Sequence, residues 1–215
     1  MFSKESLTRA FVIFVVSMLC YFVPNKFTFF ASHSVMLTPL DHVIPLIPWT
    51  IWIYISYYAF IIAAYFFAAG HRNEQLVYAG AMMLSAVIGC VIFIFFPTEI
   101  PRDLYPWFGR SDMHTNMLDA IREADRPVNC LPSMHVCMTF ISAVTYSITS
   151  KKSWVKVFAW FWFLAISFST MSTKQHYFVD VLAGFGLGLS VCAIMLQRYQ
   201  IPFAQVFSST YASKK

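Results

Sequence analysis

Charged residues are scarce in this chain. Asp, Glu, Lys and Arg together account for 12% of its 215 residues, compared with roughly 25% in an average soluble domain. Hydrophobic residues account for 59%, and phenylalanine alone occurs 23 times. A soluble fold could not bury this much apolar surface. The composition therefore excludes a soluble globular protein and predicts an integral membrane protein that crosses the bilayer several times.

The chain also lacks the signatures of several other protein classes. No lysine-rich tract or RNA-binding motif accompanies the net charge of +5, so nucleic acid is not an expected partner. The five cysteines follow no metal or disulfide spacing, and we expect no metal site and no cofactor. Cys130 and Cys137 flank a histidine and could form a disulfide. The other three are expected to be plain core residues, namely Cys20, Cys90 and Cys192.

Six long apolar runs with few charged residues predict six transmembrane helices. A crossing takes about 20 helical residues, and the predicted spans are residues 7–23, 43–70, 75–96, 133–150, 154–169 and 176–196. Pro45 and Pro48 suit the start of the second helix. The nearby Trp and Tyr residues suit the headgroup level. Residues 1–215 are thus predicted to form one all-α, polytopic membrane domain.

One long polar loop, residues 98–131, is predicted between the third and fourth helices. Within it, Ser111 and Asp112 could cap a helix. The apolar residues of that helix would share one side, namely Met113, Met117, Leu118 and Ile121. Such a helix would either lie on the membrane beside the site or be an ordinary solvated loop helix.

The basic residues predict the orientation in the membrane. If both termini are cytoplasmic, the cytoplasmic segments hold more Lys and Arg residues than the opposite side, including Lys214 and Lys215. Most basic residues on the opposite side, Arg110 among them, belong to the single long loop. Because short loops weigh most in the positive-inside rule, this count predicts cytoplasmic termini and an extracytoplasmic long loop.

Two histidines and a carboxylate should meet on the extracytoplasmic face. Two predicted crossings separate His135 from His176, so both lie on the same side of the membrane, beside neighbouring helix starts. Asp180 follows His176 by four residues and would share its face on a helix. An aspartate within a membrane span is costly unless it is paired or functional. The other four histidines are expected to be ordinary surface residues, namely His33, His42, His71 and His114.

Residues suited to binding phosphate accompany these three. Ser133 begins the fourth helix, where free backbone N–H groups and the helix dipole favour an anion. Arg102 closes the third helix, Lys174 precedes His176 by two residues, and Arg126 is a third candidate cation. Histidines, cations and a helix N-terminus together suit phosphoryl transfer without a metal.

The geometry also predicts a division of roles. Asp180 would accept a hydrogen bond from one ring nitrogen of His176 and leave the other free to attack phosphorus. His135 would protonate the leaving oxygen and then deprotonate the incoming water or alcohol. These three residues are the predicted catalytic group.

The pattern Pro132-Ser133-Met134-His135, followed by His176 with Asp180 four residues on, resembles the type 2 phosphatidic acid phosphatase superfamily. The resemblance implies a six-span, metal-independent lipid phosphatase or phosphotransferase that works through a phosphohistidine intermediate. Its active-site motifs would lie within residues 102–188. The implied substrate is a phospholipid or another lipid phosphate, and the implied acceptor is water or a lipid alcohol.

Some positions depart from the superfamily pattern. Its first motif is Lys-x6-Arg-Pro, and although Arg102 fits the arginine, Phe95 and Asp103 replace the lysine and the proline. The third motif usually opens Ser-Arg, but Thr170 stands at that arginine. The later motifs look more like the branch related to inositol phosphorylceramide synthase and sphingomyelin synthase, which transfers a phospho-head-group between lipids. They read Asn129-x-x-Pro132-Ser133-x-His135 and Thr173-Lys174-Gln175-His176-Tyr177-x-x-Asp180.

These departures bear on the substrate. A phosphate monoester approaches two negative charges near neutral pH, whereas a phosphodiester carries one. Since two positions that hold a cation in the phosphatases are uncharged here, we expect the pocket to prefer a phosphodiester donor.

Two other functions stay open on the residues alone. His135 and His176 could be ligands of a haem or a metal, although haem ligands in membrane bundles usually face each other inside helices. Alternatively, the chain could be a transporter or structural membrane protein whose histidines bind an anion without turnover.

Overall fold

The computed structural model describes residues 4–109 and 111–207. Arg110, Lys214 and Lys215, which entered the charge count, lie outside the described residues. The helices are α1 (Lys4–Lys26), α2 (Pro39–Val43), α3 (Ile51–Phe67), α4 (Arg72–Phe95), α5 (Met113–Ala124), α6 (Met134–Thr149), α7 (Ser153–Ser172) and α8 (Phe178–Arg198). The shorter elements are the strands β1 (His33–Ser34) and β2 (Thr98–Glu99) and the 3-10 turns Pro48–Thr50, Arg102–Leu104 and Phe203–Val206.

Five helices among the described residues are long and apolar enough to cross a membrane. They are α1, α3 with its preceding turn, α4, α7 and α8. The apolar helix α6 has only 16 residues. At about 1.5 Å per residue it is roughly 24 Å long, shorter than a hydrocarbon core of about 30 Å. The chain is therefore an all-α integral membrane protein, as its composition predicted.

The short helix α6 forms the centre of the bundle. It packs against α3, α4, α7 and α8, and every one of its residues except His135 is buried. The outer helices instead expose large apolar side chains, such as Phe11 of α1 and Phe161 of α7. Exposed side chains of this kind suit contact with lipid. The bundle thus encloses an apolar helix that is too short to span a typical bilayer unaided.

Two predicted spans have different boundaries in the structure. The second is interrupted, because α2 ends at Val43 and α3 begins only at Ile51. The prolines of this region lie in the intervening segment, where a residue before proline is driven out of the helical conformation. The third span begins three residues earlier than predicted, since α4 starts at Arg72.

The helix predicted within the long loop is confirmed as α5. Asp112 is its N-cap and accepts two backbone N–H groups of the first turn. Its apolar side, however, faces protein. Leu118 is fully buried in a cluster with Ile51 and Tyr54 of α3, so the interpretation as a helix lying on the membrane is wrong. The helix covers the start of α3 because its hydrophobic stripe finds a partner there.

Hydrogen bonds link the polar segments at one end of the bundle. β1 and β2 pair in parallel, and Glu99 forms an antiparallel bridge with Val128. The Cys130 N–H donates to the Thr98 carbonyl at 3.3 Å. The Cys130 and Cys137 thiols are free, so the disulfide considered between them is absent. These bonds hold the segment that leads into α6 against the end of α4.

Helix α8 approaches α6 closely along one face. Gly184 lies against the Ser133 carbonyl at the start of α6, and Gly188 lies against Cys137. Asp180 is on the same face one turn earlier and is fully buried. The predicted G-x-x-x-G packing face is therefore confirmed, and it brings Asp180 to the N-terminus of α6.

Gly184→Ala should destabilise the fold, because its Cβ would overlap the Ser133 carbonyl and push α8 away from α6. Overpacking of this kind typically costs about 1–3 kcal/mol. Gly186→Ala is the matched control, since nothing lies within 4 Å of a Cβ at that position. Thermal unfolding in detergent micelles should show a lower midpoint for Gly184→Ala only. Equal midpoints for the two variants would contradict the close approach.

Candidate active site

His135 and His176 meet at the end of the bundle where α6 and α8 begin. His135 lies in the first turn of α6, and His176 lies in the turn between α7 and α8. Their ring centroids are 5.8 Å apart, so one phosphate group can reach both rings. The two helices between them, α6 and α7, return the chain to the end it left.

Asp180 lies behind His176, with its Oδ2 atom 3.5 Å from the His176 Nδ1 atom. This distance is longer than a hydrogen bond, and Oδ2 already accepts the Tyr177 N–H at 2.8 Å. The argument that the two side chains share one helix face is wrong, because α8 begins at Phe178, after His176. They meet instead because Asp180 turns back to cap the helix, toward the residues that precede it.

Buried backbone hydrogen bonds hold His176 in this position. Its N–H and the N–H of Gln175 both donate to the Thr170 carbonyl at 3.0 Å. His176 and Gln175 are each 7% exposed. The turn is thus part of the packed interior, and its backbone hydrogen bonds fix the position from which the imidazole ring projects.

Two tyrosine rings of α3 pack against His135. The ring centroids of Tyr54 and Tyr57 lie 4.4 and 4.5 Å from that of the imidazole. The His135 Nε2 atom is buried and has no hydrogen-bond partner among the described residues. The two aromatic rings thus hold the imidazole in place by packing against it.

The N-terminus of α6 lies beside the histidine pair. Ser133 is the N-cap, and its Oγ atom accepts the Val136 N–H at 3.4 Å. The Ser133 N–H donates to the Asp180 carbonyl at 3.0 Å. Capping uses the Ser133 oxygen as an acceptor, so its hydroxyl proton is available to a ligand. Together with the first N–H groups of α6 and the helix dipole, this favours an anion.

Arg102 is linked to the turn that carries His176. Its Nη2 atom donates to the Gln175 side-chain oxygen at 3.2 Å, and its Nη1 atom donates to the Arg122 carbonyl. Partial burial lowers the pKa of Arg102, and the neighbouring Asp125 carboxyl opposes that shift. The guanidinium is therefore held as a cation beside the candidate site.

Asp125 adds a partly buried acid to the same region. Burial raises the pKa of Asp125, while a hydrogen bond from Tyr21 and the charges of Arg102 and His176 act in the opposite direction. The Tyr21 hydroxyl donates at 2.7 Å and the Asn25 side chain at 3.0 Å. These bonds also fasten the end of α1 to the segment that precedes α6.

Lys174 and Arg126, both predicted to contact phosphate, are engaged elsewhere in this structure. The Lys174 Nζ atom donates to the carbonyls of Asp41 and Ile44 at 2.9 and 2.6 Å, and burial lowers its pKa. Arg126 donates to the last carbonyls of α1, which need donors because no further helical turn follows. Of the four predicted phosphate-binding residues, the structure connects Arg102 and Ser133 to the histidine pair.

The sequence reasoning missed Asp41. Its Oδ1 atom accepts the Phe178 N–H, the first of α8, at 2.8 Å, and its Oδ2 atom accepts from Thr38. Asp41 thereby joins α2 to the start of α8. The signal was present, since Thr38 followed three residues later by Asp41 is a helix-start pattern.

The two tyrosines and Asp125 were also missed. The three-residue spacing of Tyr54 and Tyr57 places them on one face of α3, but only the fold shows that His135 lies there. Asp125 had no distinguishing signal among the acids of the loop. Within residues 4–109 and 111–207, no group of three or more His, Cys, Asp or Glu side chains could hold a metal ion.

Comparison with known proteins identifies a family for this chain. A family model described as the PAP2 superfamily matches residues 22–194, a range that includes His135, His176 and Asp180. No curated protein and no solved structure matches the chain. Because the matched region covers well over half of the chain, the protein belongs to the PAP2 superfamily, the type 2 phosphatidic acid phosphatases.

Proposed function

We propose that this protein is a membrane lipid phosphatase or phosphotransferase that works through a phosphohistidine on His176. The observation that carries the proposal is the meeting of His135 and His176, 5.8 Å apart, with Asp180 behind His176. Superfamily membership supports phosphatase chemistry on a lipid phosphate. A haem protein or an anion-binding protein without turnover is not favoured, because the chain belongs to the PAP2 superfamily.

In the first step, the free ring nitrogen of His176 attacks phosphorus as the bond from phosphorus to the leaving oxygen breaks. Asp180 faces the other ring nitrogen and stabilises the positive charge that develops on the ring. His135 gives its proton to the leaving oxygen.

In the second step, His135 takes a proton from water or an alcohol, whose oxygen attacks the phosphorus. The bond between phosphorus and nitrogen breaks, and His176 is restored. Arg102, Ser133 and the N–H groups that begin α6 would hold the phosphate oxygens in both steps. No step in this scheme requires a metal ion or another cofactor.

We also propose that α6 is a sixth crossing and that residues 1–215 form one membrane domain. Burial in the centre of the bundle allows a helix of 16 residues to lie at membrane depth without matching the full bilayer thickness. In this arrangement both termini are cytoplasmic and the histidine pair is extracytoplasmic.

The orientation can be tested with a topology reporter fused to the C-terminus. We expect the reporter to be cytoplasmic, because the short segments on that side hold most of the basic residues. A reporter placed in the exposed segment between α4 and α5 should give the opposite signal. An extracytoplasmic C-terminus would overturn the predicted sidedness while leaving the chemistry untouched.

His176→Ala should abolish turnover of every substrate, since it removes the nucleophile. His135→Ala should form the phosphoenzyme only from esters with a good leaving group, such as p-nitrophenol, because such a group departs without a proton. Both rates can be measured on purified protein in micelles. Near-normal turnover by His176→Ala would show that the mechanism is wrong.

Two further variants control this experiment. His33→Ala removes an exposed histidine of β1 and should keep the wild-type rate. Asp180→Asn should keep the fold, since its side-chain oxygen can still accept the Tyr177 N–H. Its rate should fall strongly, as an analogous change in the serine-protease triad costs about 10⁴-fold.

The small number of cations at the site supports a function like that of the branch that transfers head groups. Phe95 occupies the position of the family lysine, is 56% exposed and packs against Phe30. Thr170 is fully buried, and its hydroxyl donates to the Ser167 carbonyl at 2.8 Å. With Lys174 and Arg126 engaged elsewhere, Arg102 is the predicted cation that remains for phosphate, which suits a singly charged phosphodiester.

We therefore expect a phospholipid diester to be a better donor than a monoester. The purified protein should be assayed on phosphatidylinositol, phosphatidylglycerol and phosphatidic acid in the same micelles, with and without a lipid alcohol. The preferred reaction should release or transfer the phospho-head-group of a diester. Turnover of phosphatidic acid alone would place the protein with the hydrolytic phosphatases and refute the charge argument.

A further inference from the structure

A long apolar groove runs from His135 into the membrane-spanning part of the bundle. Helix α1 packs against α4, and α3 packs against α6 and α7. The groove lies between the first pair of helices and the second group of three. Including its open side, it holds about 1050 Å³ of empty space. Its α1 wall is a single helical stripe that includes Ala10, Ile13, Ser17 and Tyr21.

One end of the groove is the candidate active site. His135 lines it together with Met134 and Met138 of α6, and Tyr57 of α3 lies beside them. These are the residues around the proposed proton donor. A molecule in the groove would therefore have one end beside His135.

The other end is closed by polar contacts. The Tyr65 hydroxyl donates to the Ser6 carbonyl at 2.7 Å, and the Gln75 side chain donates to the Ser6 hydroxyl at 3.0 Å. Between Ala10 and Tyr21 the α1 wall rises by roughly 16 Å, at about 1.5 Å per residue. The groove thus has a defined length that ends at a hydrogen-bonded floor.

The side of the groove is open toward the bilayer between α1 and α3. Its rim consists of large side chains that are about half exposed, namely Phe14, Phe22, Tyr58 and Ile62. Lipid chains are as apolar as these side chains, so hydrophobicity alone does not drive a chain into the groove. The groove can instead select a chain by its shape and guide its head group to the histidines.

We infer that this groove binds one hydrocarbon chain of the phosphate-bearing lipid, which enters sideways from the bilayer between α1 and α3. The inference rests on the proposed function, because the occupant is identified as the chain of that substrate. It adds a chain-binding site to the head-group chemistry. It also assigns α1, which contributes none of the proposed catalytic residues, a role in selecting substrates.

Ser17→Trp should fill the groove at its middle. The rate on a dipalmitoyl phospholipid should fall roughly tenfold, because a chain forced past the added ring meets strain like that of an overpacked core. The rate on a water-soluble p-nitrophenyl ester should stay within about twofold of wild type, since that ester leaves the groove empty. Leu19→Trp is the matched control, because Leu19 is 57% exposed on the same helix and outside the groove lining. It should leave both rates unchanged.

Equal losses on both substrates in Ser17→Trp, or a wild-type rate on the long-chain lipid, would overturn the inference. Ala86→Leu provides a second test from the α4 wall if the tryptophan variant does not fold, and it should show the same selective loss. A phospholipid with a photoreactive group in its acyl chain provides a readout that needs no turnover. Labelling of the α1 stripe should be competed by unlabelled phospholipid. If the wild-type protein turns over neither substrate, the proposed function fails, and the labelling result alone then decides whether the groove binds a chain.

Discussion

The turn between α7 and α8 is buried, and burial requires its polar groups to find partners within the protein. Two successive N–H groups share the Thr170 carbonyl. The Lys174 ammonium lies on two carbonyls of the α2 segment, and Asp41 accepts the first N–H of α8. His176 occupies the middle of this network. Its position is therefore set by hydrogen bonds that would be costly to leave unmade, and the segment before α3 is part of the same network.

A second constraint is the close approach of α8 to the start of α6. Gly184 allows the two backbones to touch, and the Ser133 N–H donates to the Asp180 carbonyl across the contact. Because Asp180 also caps α8, one small region determines the distance between the two histidines. Residues far apart in the chain thus become a single site through backbone contacts, which hold more firmly than long flexible side chains would.

The pattern of charge and hydrophobicity predicted well which segments form long helices, but it predicted the first and last residues of those helices less well. The prediction placed Asp180 near His176 correctly, but for the wrong reason. It began the sixth helix at residue 176, two residues before the observed start of α8 at Phe178. Lys174 shows the limit of reasoning from type and spacing. A lysine two residues from a catalytic histidine is a reasonable phosphate ligand, yet burial of the turn directs its ammonium to carbonyls from a distant segment.

The sequence by itself determined the class of the protein and the side of the bundle on which its histidines meet. Both follow from local properties, namely the length of apolar runs and the return of the chain after two crossings. Only the tertiary structure decided which cations remain beside the histidines, that tyrosines of α3 enclose His135, and that a groove leads from it along α1. These features depend on contacts between residues up to 133 positions apart in the chain. No local pattern of residue types specifies such contacts, because each is the outcome of satisfying buried polar groups and packing whole helices together.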